Sequence, residues 1–249
     1  MKGCEGPRVN DELIRRHEGH VTHLTLNRRE KANALSASLV EALLNAVEYA
    51  CTDGTRLLIL DGAGAHFCAG FDFTGYHEAN EGELALRFIR IETLLQQLHH
   101  APFETLAFAH GQNFGAGADM VCACSLRVAA PGTTFRFPGL RFGVVLGTRR
   151  FARRVGEDAA REILSASRAF GAEEALKLRF VARIAAPGEW AAVIAEARAR
   201  SEHLVPAAAA ALNRQTIPDS RDEDMAALAR SVSVPGLKER IRLFRETSQ

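Results

Sequence analysis

An α/β fold followed by a helical segment is predicted by three patterns in the sequence. Strand-like and helix-like segments alternate as far as residue 130, and two of the strands are each followed by a glycine-rich turn. From about Gly147 the pattern is almost all helix, with one strand-like break at residues 180–185. Strands that alternate with helices are typical of a sheet covered by helices, and the later helices indicate an appendage to that core.

The first elements are a hairpin and a helix. Residues 13–16 and 20–26 alternate between apolar and polar side chains in the manner of two paired strands. Residues 36–50 follow with apolar side chains at helical spacing. Ser38 and Glu41 have the spacing of a capping box, which predicts the start of this helix.

The remaining elements of the first half are short strands and two helices. Strands are predicted at residues 56–60, 105–109, 126–130 and 134–137. Helices are predicted at residues 83–100 and 118–124. The first two of these strands are continuously apolar, which is typical of strands buried on both faces of a sheet.

Composition and charge narrow the class of protein. The 249 residues are 47% hydrophobic and 24% charged, so the chain can bury a full core and is not a disordered, collagen-like or coiled-coil sequence. A net charge of +1 lacks the basic surplus of a nucleic-acid binder. No apolar run is long enough to span a membrane, and residues 1–12 lack the pattern of a signal peptide. The five cysteines are an odd number, which favours free thiols and a cytoplasmic location.

The two glycine-rich turns, residues 61–75 and 111–117, have two candidate uses. The first is dinucleotide binding, which needs a third glycine in register, but Phe67 and Met120 stand at those positions. The second is an oxyanion hole formed by one main-chain N–H group from each turn, which would stabilise charge on a carbonyl oxygen. For either turn alone a purely structural use stays open, since glycine also serves tight backbone geometry.

Metal binding is not indicated by the residues that could ligate an ion. The His-Glu pairs at 17–18 and 77–78 each lack the second histidine of a zinc-binding helix. Cys122 and Cys124 lack a partner pair of ligands. We therefore expect no metal site in this protein.

Five segments together resemble the crotonase, or enoyl-CoA hydratase/isomerase, superfamily. They occur in the family's order and spacing: LTLNRREKANALS (24–36), LLILDGAGAHFCAGFD (57–72), AHGQNFGAGADM (109–120), LRVAAPGTTFRFPGLRFG (126–143) and GAEEALKLRFVARI (171–184). The resemblance implies an α/β spiral of ββα units over residues 1–190 and a C-terminal helical oligomerisation segment over residues 191–249. It also implies a homotrimer, or a hexamer made of two trimers.

The resemblance further implies an acyl-CoA thioester as the ligand. The family stabilises the enolate of such an ester with two main-chain N–H groups, which by position are those of Phe71 and Ala116. Coenzyme A would enter as part of the substrate, with no tightly bound cofactor. The same resemblance implies that CoA is bound by Arg28, Lys31, Ala69, Gly70 and Gly115. It implies that the substrate pocket is lined by Phe71, Gly139 and Arg141.

Several of these binding residues have a second interpretation. Phe71 stands where the family usually has a small residue, so its ring should narrow the acyl pocket unless it turns into the core. Arg28 and Lys31 lie in a charged loop that could simply be solvated. Arg141 could hold a carboxylate of the substrate if it points inward, and otherwise faces solvent.

The acid and base groups depart from the family pattern. Hydratases of the family use two glutamates that share a water molecule. Here the first position is Asp119 and the second is Gly139, which cannot transfer a proton. Asp119 is the expected acid/base group, or else a first-turn residue that complements the helix dipole. Glu92, on the helix predicted at 83–100, is the candidate for the missing carboxylate, unless its side chain faces solvent.

These residues predict an acyl-CoA-processing enzyme, a lyase or isomerase, that works through an enolate. A single carboxylate supports isomerisation, or another one-base reaction, more readily than hydration. Decarboxylation and hydrolysis stay open as further one-base reactions. The alternative is a binding protein without catalytic activity. Such a protein would bind acyl-CoA with the oxyanion hole but would have lost the acid/base pair.

Overall fold

The computed structural model describes residues 11–247, and nine strands form two sheets in this part of the chain. The strands are β1 (Leu13–Glu18), β2 (Val21–Leu26), β3 (Leu57–Gly62), β4 (Glu104–Ala109), β5 (Gln112–Phe114), β6 (Leu126–Ala129), β7 (Thr134–Arg136), β8 (Phe170–Gly171) and β9 (Arg183–Ile184). The central sheet has the order β1-β2-β3-β4-β6-β9, and the small sheet has the order β5-β7-β8. Only β1 is antiparallel to its neighbour in the central sheet.

The helices alternate with the strands at first and then follow one another, as the sequence predicts. They are α1 (Ala37–Ala50), α2 (Glu81–His99), α3 (Ala116–Ala123), α4 (Thr148–Val155), α5 (Glu157–Ala166), α6 (Ala172–Lys177), α7 (Trp190–Ser201), α8 (Pro206–Thr216), α9 (Arg221–Val232) and α10 (Leu237–Glu246). Short 3-10 helices cover Arg29–Lys31, Gly139–Phe142 and Pro187–Glu189. Within residues 11–247, none of the helices is both long and apolar enough to cross a membrane.

Helix α1 is capped by a different residue from the one the sequence predicts. The hydroxyl of Ser36, not that of Ser38, accepts a hydrogen bond from the Leu39 N–H group at 3.0 Å. Just before the cap, the Leu35 N–H group donates to a carbonyl of the first glycine-rich turn at 2.7 Å. That bond fixes where the extended chain ends and the helix begins, so the capping box of Ser38 and Glu41 is wrong.

The central sheet is buried on both faces, as its continuously apolar strands predict. In β3, Leu58 and Leu60 belong to the main core, whereas Leu57 and Ile59 belong to a second, smaller cluster. This division follows from the alternation of side chains between the two faces of a strand. Helix α7 covers the smaller cluster with buried residues that include Val193.

Residues 180–185 form less strand than the sequence predicts. Only Arg183 and Ile184 pair with β6. The Phe180 carbonyl instead accepts a hydrogen bond from the buried guanidinium of Arg127 at 2.6 Å, and the Phe180 ring is fully buried. The pairing with β6 is thus confined to the end of the segment.

The C-terminal helices are joined to the core to different extents. Helices α9 and α10 add four residues to the main core: Leu228, Val232, Leu237 and Ile241. Helix α8 buries none of its residues. The boundary at residue 190 and the role of this segment in oligomerisation stay predictions. The expectations that fall on residues 1–10, including Cys4 and most of the signal-peptide argument, lie outside the described residues.

Candidate active site

The fold brings the two glycine-rich turns into direct contact. Gly70 has a φ of +86°, which few other residues adopt, and a Cβ atom there would lie 2.3 Å from the Phe114 carbonyl oxygen and 3.3 Å from the Ala116 nitrogen. Gly117 is equally constrained, because a Cβ atom there would lie 2.2 Å from the Cys68 carbonyl oxygen. Only glycine therefore lets the second turn lie against the first.

The two main-chain N–H groups assigned to the oxyanion hole lie on these touching segments. In the short pairing of Leu35 with Phe71, hydrogen bonds run from Leu35 N–H to Gly70 and from Asp72 N–H back to Leu35. The N–H group of Phe71 consequently points to the other side of the strand. Ala116 begins helix α3, so its N–H group has no acceptor within the helix. Within residues 11–247 neither N–H group donates a backbone hydrogen bond.

A cavity of about 60 Å³ opens beside these N–H groups. Its wall is mostly apolar and aromatic, and it includes Ala69, Phe71, Phe73, Phe88, Gly115, Ala116, Asp119, Phe137, Gly139, Phe142, Val144 and Leu146. Among the described residues, Asp119 is the only ionisable residue of this wall. The structure thus brings together the two N–H groups, one carboxylic acid and the position of Gly139.

Asp119 is buried, and its environment favours the protonated form. The residue is 3% exposed, and its Oδ1 atom has no hydrogen-bond partner among the described residues. Burial raises the pKa of Asp119 well above its ordinary value; the guanidinium of Arg150 opposes this rise, and the carboxylate of Glu92 adds to it. Gly147 leaves room for the acid, since a Cβ atom there would lie 1.9 Å from Oδ1.

Gly139 lies on the cavity wall. According to the sequence resemblance, this is the position of the second glutamate in the hydratases of the family. The residue begins a 3-10 helix that ends at Phe142. A Cβ atom on Gly139 would lie 3.0 Å from the Val144 carbonyl oxygen, so the chain folds back over this position. Glycine supplies no carboxylate here, and even a Cβ atom would be in tight contact with the Val144 carbonyl.

Comparisons with known proteins identify the family. The sequence profile of the enoyl-CoA hydratase/isomerase family matches residues 16–247. The chain belongs to the enoyl-CoA hydratase/isomerase family. A solved structure of a putative enoyl-CoA hydratase/isomerase from Bordetella parapertussis is 48% identical to it, with a TM-score of 0.94 over 96% of this chain and 100% of the other.

Two similar proteins with enoyl-CoA hydratase names agree with this assignment. A putative enoyl-CoA hydratase from Thermus thermophilus is 31% identical over 250 residues, which is 94% of this chain and 98% of the relative. The probable enoyl-CoA hydratase echA6 of Mycobacterium tuberculosis is 33% identical over 181 residues, which is 70% of this chain and 72% of the relative. The crotonase resemblance and the α/β fold with its helical C-terminal segment are confirmed, and the protein is a member of a family of acyl-CoA-processing enzymes.

Glu92 does not reach the cavity of this family member, although it lies close behind Asp119. Its carboxylate is 1% exposed and binds Arg150 through both oxygens, at 2.8 and 2.5 Å. Gln96 donates a further hydrogen bond to it at 3.0 Å. Arg150 in turn contacts Asp224 of helix α9 at 3.4 Å. A carboxylate with both oxygens held in this way is suited to placing Arg150 beside Asp119 rather than to transferring a proton itself.

The buried pair of Glu92 and Arg150 should contribute strongly to stability. Replacing Glu92 with glutamine leaves a guanidinium that is 2% exposed without its main counter-ion, and we expect the free energy of unfolding to fall by about 3 kcal/mol. The matched control is Glu41→Gln, which removes the exposed Glu41–Arg90 pair and should cost less than about 1 kcal/mol. Urea unfolding of both variants measures the difference, and equal losses would contradict this account of the buried pair.

The basic residues expected near coenzyme A differ in their surroundings. Arg28 is held within the protein, with ion pairs to Glu12 at 2.7 Å and to Asp72 at 3.0 Å. Lys31 and Arg29, which lie in the same 3-10 helix, are exposed. The structure therefore leaves Lys31, more than Arg28, accessible to a phosphate group.

The arginines around Gly139 do not line the cavity. Arg141 is exposed, and its guanidinium lies 5.4 Å from the centre of the Phe244 ring. Arg136 donates to the Ser167 carbonyl at 2.8 Å. Neither side chain is placed to hold a substrate carboxylate beside Asp119, so the inward orientation considered for Arg141 is wrong.

Arg150 and Gly147 are the residues of this site that sequence reasoning missed. Gly147 lies just before helix α4, and Arg150 lies in the first turn of that helix. A clue was available in the arginine-rich start of helix α4, since a charged residue on a buried helix face needs a partner. Nothing in the sequence shows that this partner is Glu92.

Proposed function

We propose that the protein binds an acyl-CoA thioester with its carbonyl oxygen between the N–H groups of Phe71 and Ala116, and converts the ester to its enolate. Fixed donors aimed at a developing oxyanion stabilise it by about 3 kcal/mol each. The observation that carries this proposal is that both donors, which are not used within the backbone, lie on the wall of a cavity whose only described ionisable group is Asp119.

Asp119 then moves the proton. Its carboxylate takes a proton from the carbon next to the thioester carbonyl. The electrons of the broken C–H bond form the carbon–carbon double bond of the enolate, and the carbonyl oxygen takes the negative charge. If the acyl group has a double bond between its β and γ carbons, the enolate is a conjugated dienolate. Protonated Asp119 can then give the proton to the γ carbon, which leaves the double bond between the α and β carbons and restores the carbonyl. A raised pKa suits this role, because a general base works best when its pKa lies near the operating pH.

The missing group at Gly139 favours a one-base reaction over hydration. Addition of water needs one group to take a proton from the water and another to deliver a proton to carbon. Among the described residues the cavity wall offers only Asp119 for these two tasks. Isomerisation needs a single group that carries one proton between two carbons, and Asp119 can do this alone.

Deuterium exchange tests enolate formation whatever the final product is. We expect vinylacetyl-CoA, incubated with the protein in heavy water, to gain deuterium beside the carbonyl and to convert to crotonyl-CoA, as measured by mass spectrometry. The comparison is the same ester without protein. Failure to bind any acyl-CoA in calorimetry would contradict the proposal as a whole, whereas binding without exchange would contradict the enolate step.

A non-catalytic acyl-CoA-binding protein is the second candidate. Gly139 favours it, because one of the family's two carboxylates is gone and the chain fills part of its space. This candidate predicts binding of the ester with no deuterium exchange, so the same experiment separates it from the enzyme.

We propose the oligomeric state, the cellular location and the lack of a cofactor from the family resemblance alone. We expect a homotrimer or a hexamer, for which helix α8 offers a surface with exposed Leu212 and no buried residue. We also expect a cytoplasmic protein that has no tightly bound cofactor and meets coenzyme A only as part of its substrate.

A further inference from the structure

The cavity beside Asp119 is small for an acyl-CoA-binding site. Its volume is about 60 Å³. A water molecule needs about 10–15 Å³ of such space, so the cavity holds about four to six water-sized groups. With the thioester carbonyl at the N–H groups of Phe71 and Ala116, the acyl chain has to fit into what remains.

The side chain of Phe71 closes one side of this space and is held in place. Its ring stacks on Phe88 with a centroid distance of 4.3 Å and an interplanar angle of 15°. The guanidinium of Arg87 lies 4.2 Å from the centre of the same ring. Since the stacked Phe88 ring occupies one face, Arg87 covers the other. Arg87 is itself fixed by a hydrogen bond of 2.5 Å to the Asp72 carbonyl.

Further aromatic rings close the space behind Phe71. The Phe73 ring lies 5.0 Å from Phe71 and 6.2 Å from Phe142. Phe142 contacts Phe244 of helix α10 at 4.9 Å. Helix α10 therefore packs a ring against the aromatic cluster, and no ionisable side chain other than Asp119 lines the cavity among the described residues.

We propose that Phe71, clamped between Arg87 and Phe88, sets the length of the acyl group, and that the protein takes CoA esters of uncharged acyl groups of about four carbons or fewer. This inference rests on the proposed function, because it concerns the acyl end of the same ligand. An acyl group with its own carboxylate is disfavoured, since that charge would enter an apolar cavity beside Asp119, and the described residues of the wall supply no cation to pair with it.

Calorimetric titration with free CoA, butyryl-CoA and octanoyl-CoA tests the inference on the unaltered protein. We expect butyryl-CoA to bind more tightly than octanoyl-CoA by about tenfold or more, because the added methylenes do not fit the cavity. The variant Phe71→Ala keeps the main-chain N–H group and removes the ring, so it should reduce or reverse this preference. Leu86→Ala is the matched control on the same helix as Phe88; Leu86 is 56% exposed, and the variant should keep the preference of the parent.

The outcomes separate the inference from the proposed function. If neither ester binds, the proposed function fails and the inference fails with it. If both esters bind the parent equally well, the length limit is wrong while acyl-CoA binding stands. If the parent prefers the short ester and Phe71→Ala keeps that preference, the assignment to Phe71 is wrong. The conservative variant Phe71→Leu provides the same comparison if the alanine variant does not fold.

Discussion

Replacing Asp119 with asparagine should lower the rate of deuterium exchange by about 10²–10⁴-fold. Asparagine has nearly the shape of aspartic acid but cannot take a proton from carbon. Because Asp119 lines the cavity and its Oδ1 atom has no hydrogen-bond partner among the described residues, the change breaks no hydrogen bond of that atom. Binding of butyryl-CoA should therefore stay close to that of the parent. An unchanged exchange rate in a variant that still binds the ester would remove Asp119 from the mechanism.

The pH dependence of exchange should follow the same acid. The working base is the ionised carboxylate, and burial raises the pKa of Asp119 well above its ordinary value. The exchange rate of the parent should consequently rise with pH up to a plateau that lies above the ordinary titration range of an aspartate. The residual rate of Asp119→Asn should lack this rise. A parent profile that already reaches its plateau within the ordinary titration range of an aspartate would contradict the assignment.

The pH dependence of thermal unfolding is an independent test of the raised pKa of Asp119. Its pKa in the folded protein lies above the unfolded value of about 3.9, so the fold favours the neutral acid. The resulting stabilisation is fully present below the unfolded pKa and is lost as the pH rises through the folded one. The parent should therefore lose stability relative to Asp119→Asn as the pH is raised.

Replacing Gly70 with alanine should disrupt the proposed oxyanion hole and slow exchange by about 10²–10³-fold. The new Cβ atom would lie 2.3 Å from the Phe114 carbonyl oxygen and 3.3 Å from the Ala116 nitrogen, so the two turns must move apart. Separation of the turns takes the N–H groups of Phe71 and Ala116 away from a shared acceptor. The exchange assay with vinylacetyl-CoA measures the effect.

Gly54→Ala is a matched control for this change. Gly54 also has a φ of +86°, so alanine there meets the same backbone strain, but no atom lies within 4 Å of the added Cβ. The control should lose stability and keep its exchange rate. If Gly70→Ala behaves like Gly54→Ala, contact between the two turns is not needed for activity.

The contact between the two turns could be predicted from sequence because it depends on local residues. Parallel strands β3 and β4 are neighbours, and each ends in a glycine-rich turn at the same edge of the sheet. Glycine at positions 70 and 117 permits the close approach that the coordinates show. The absence of a second carboxylate was equally visible, because Gly139 has no side chain.

The surroundings of Asp119 could not be predicted in this way, since they depend on pairings between distant segments. Glu92 meets an arginine that lies 58 positions later in the chain. From the sequence, Glu92 was expected either to face solvent or to reach the substrate. A buried ion pair with Arg150 is a third arrangement, which the sequence does not indicate. Gly147 lies against Asp119, although the two residues are far apart in the chain. The ring of Phe71 both lines the cavity and stacks in the core, so the two interpretations of that residue were not exclusive.

A crystal structure with bound butyryl-CoA tests the central claim most directly. The account predicts that the thioester carbonyl oxygen lies about 2.7–3.1 Å from both the Phe71 and the Ala116 nitrogen, with the acyl chain next to Asp119. A carbonyl oxygen that reaches only one of these nitrogens, or an acyl chain bound outside the cavity, would contradict it.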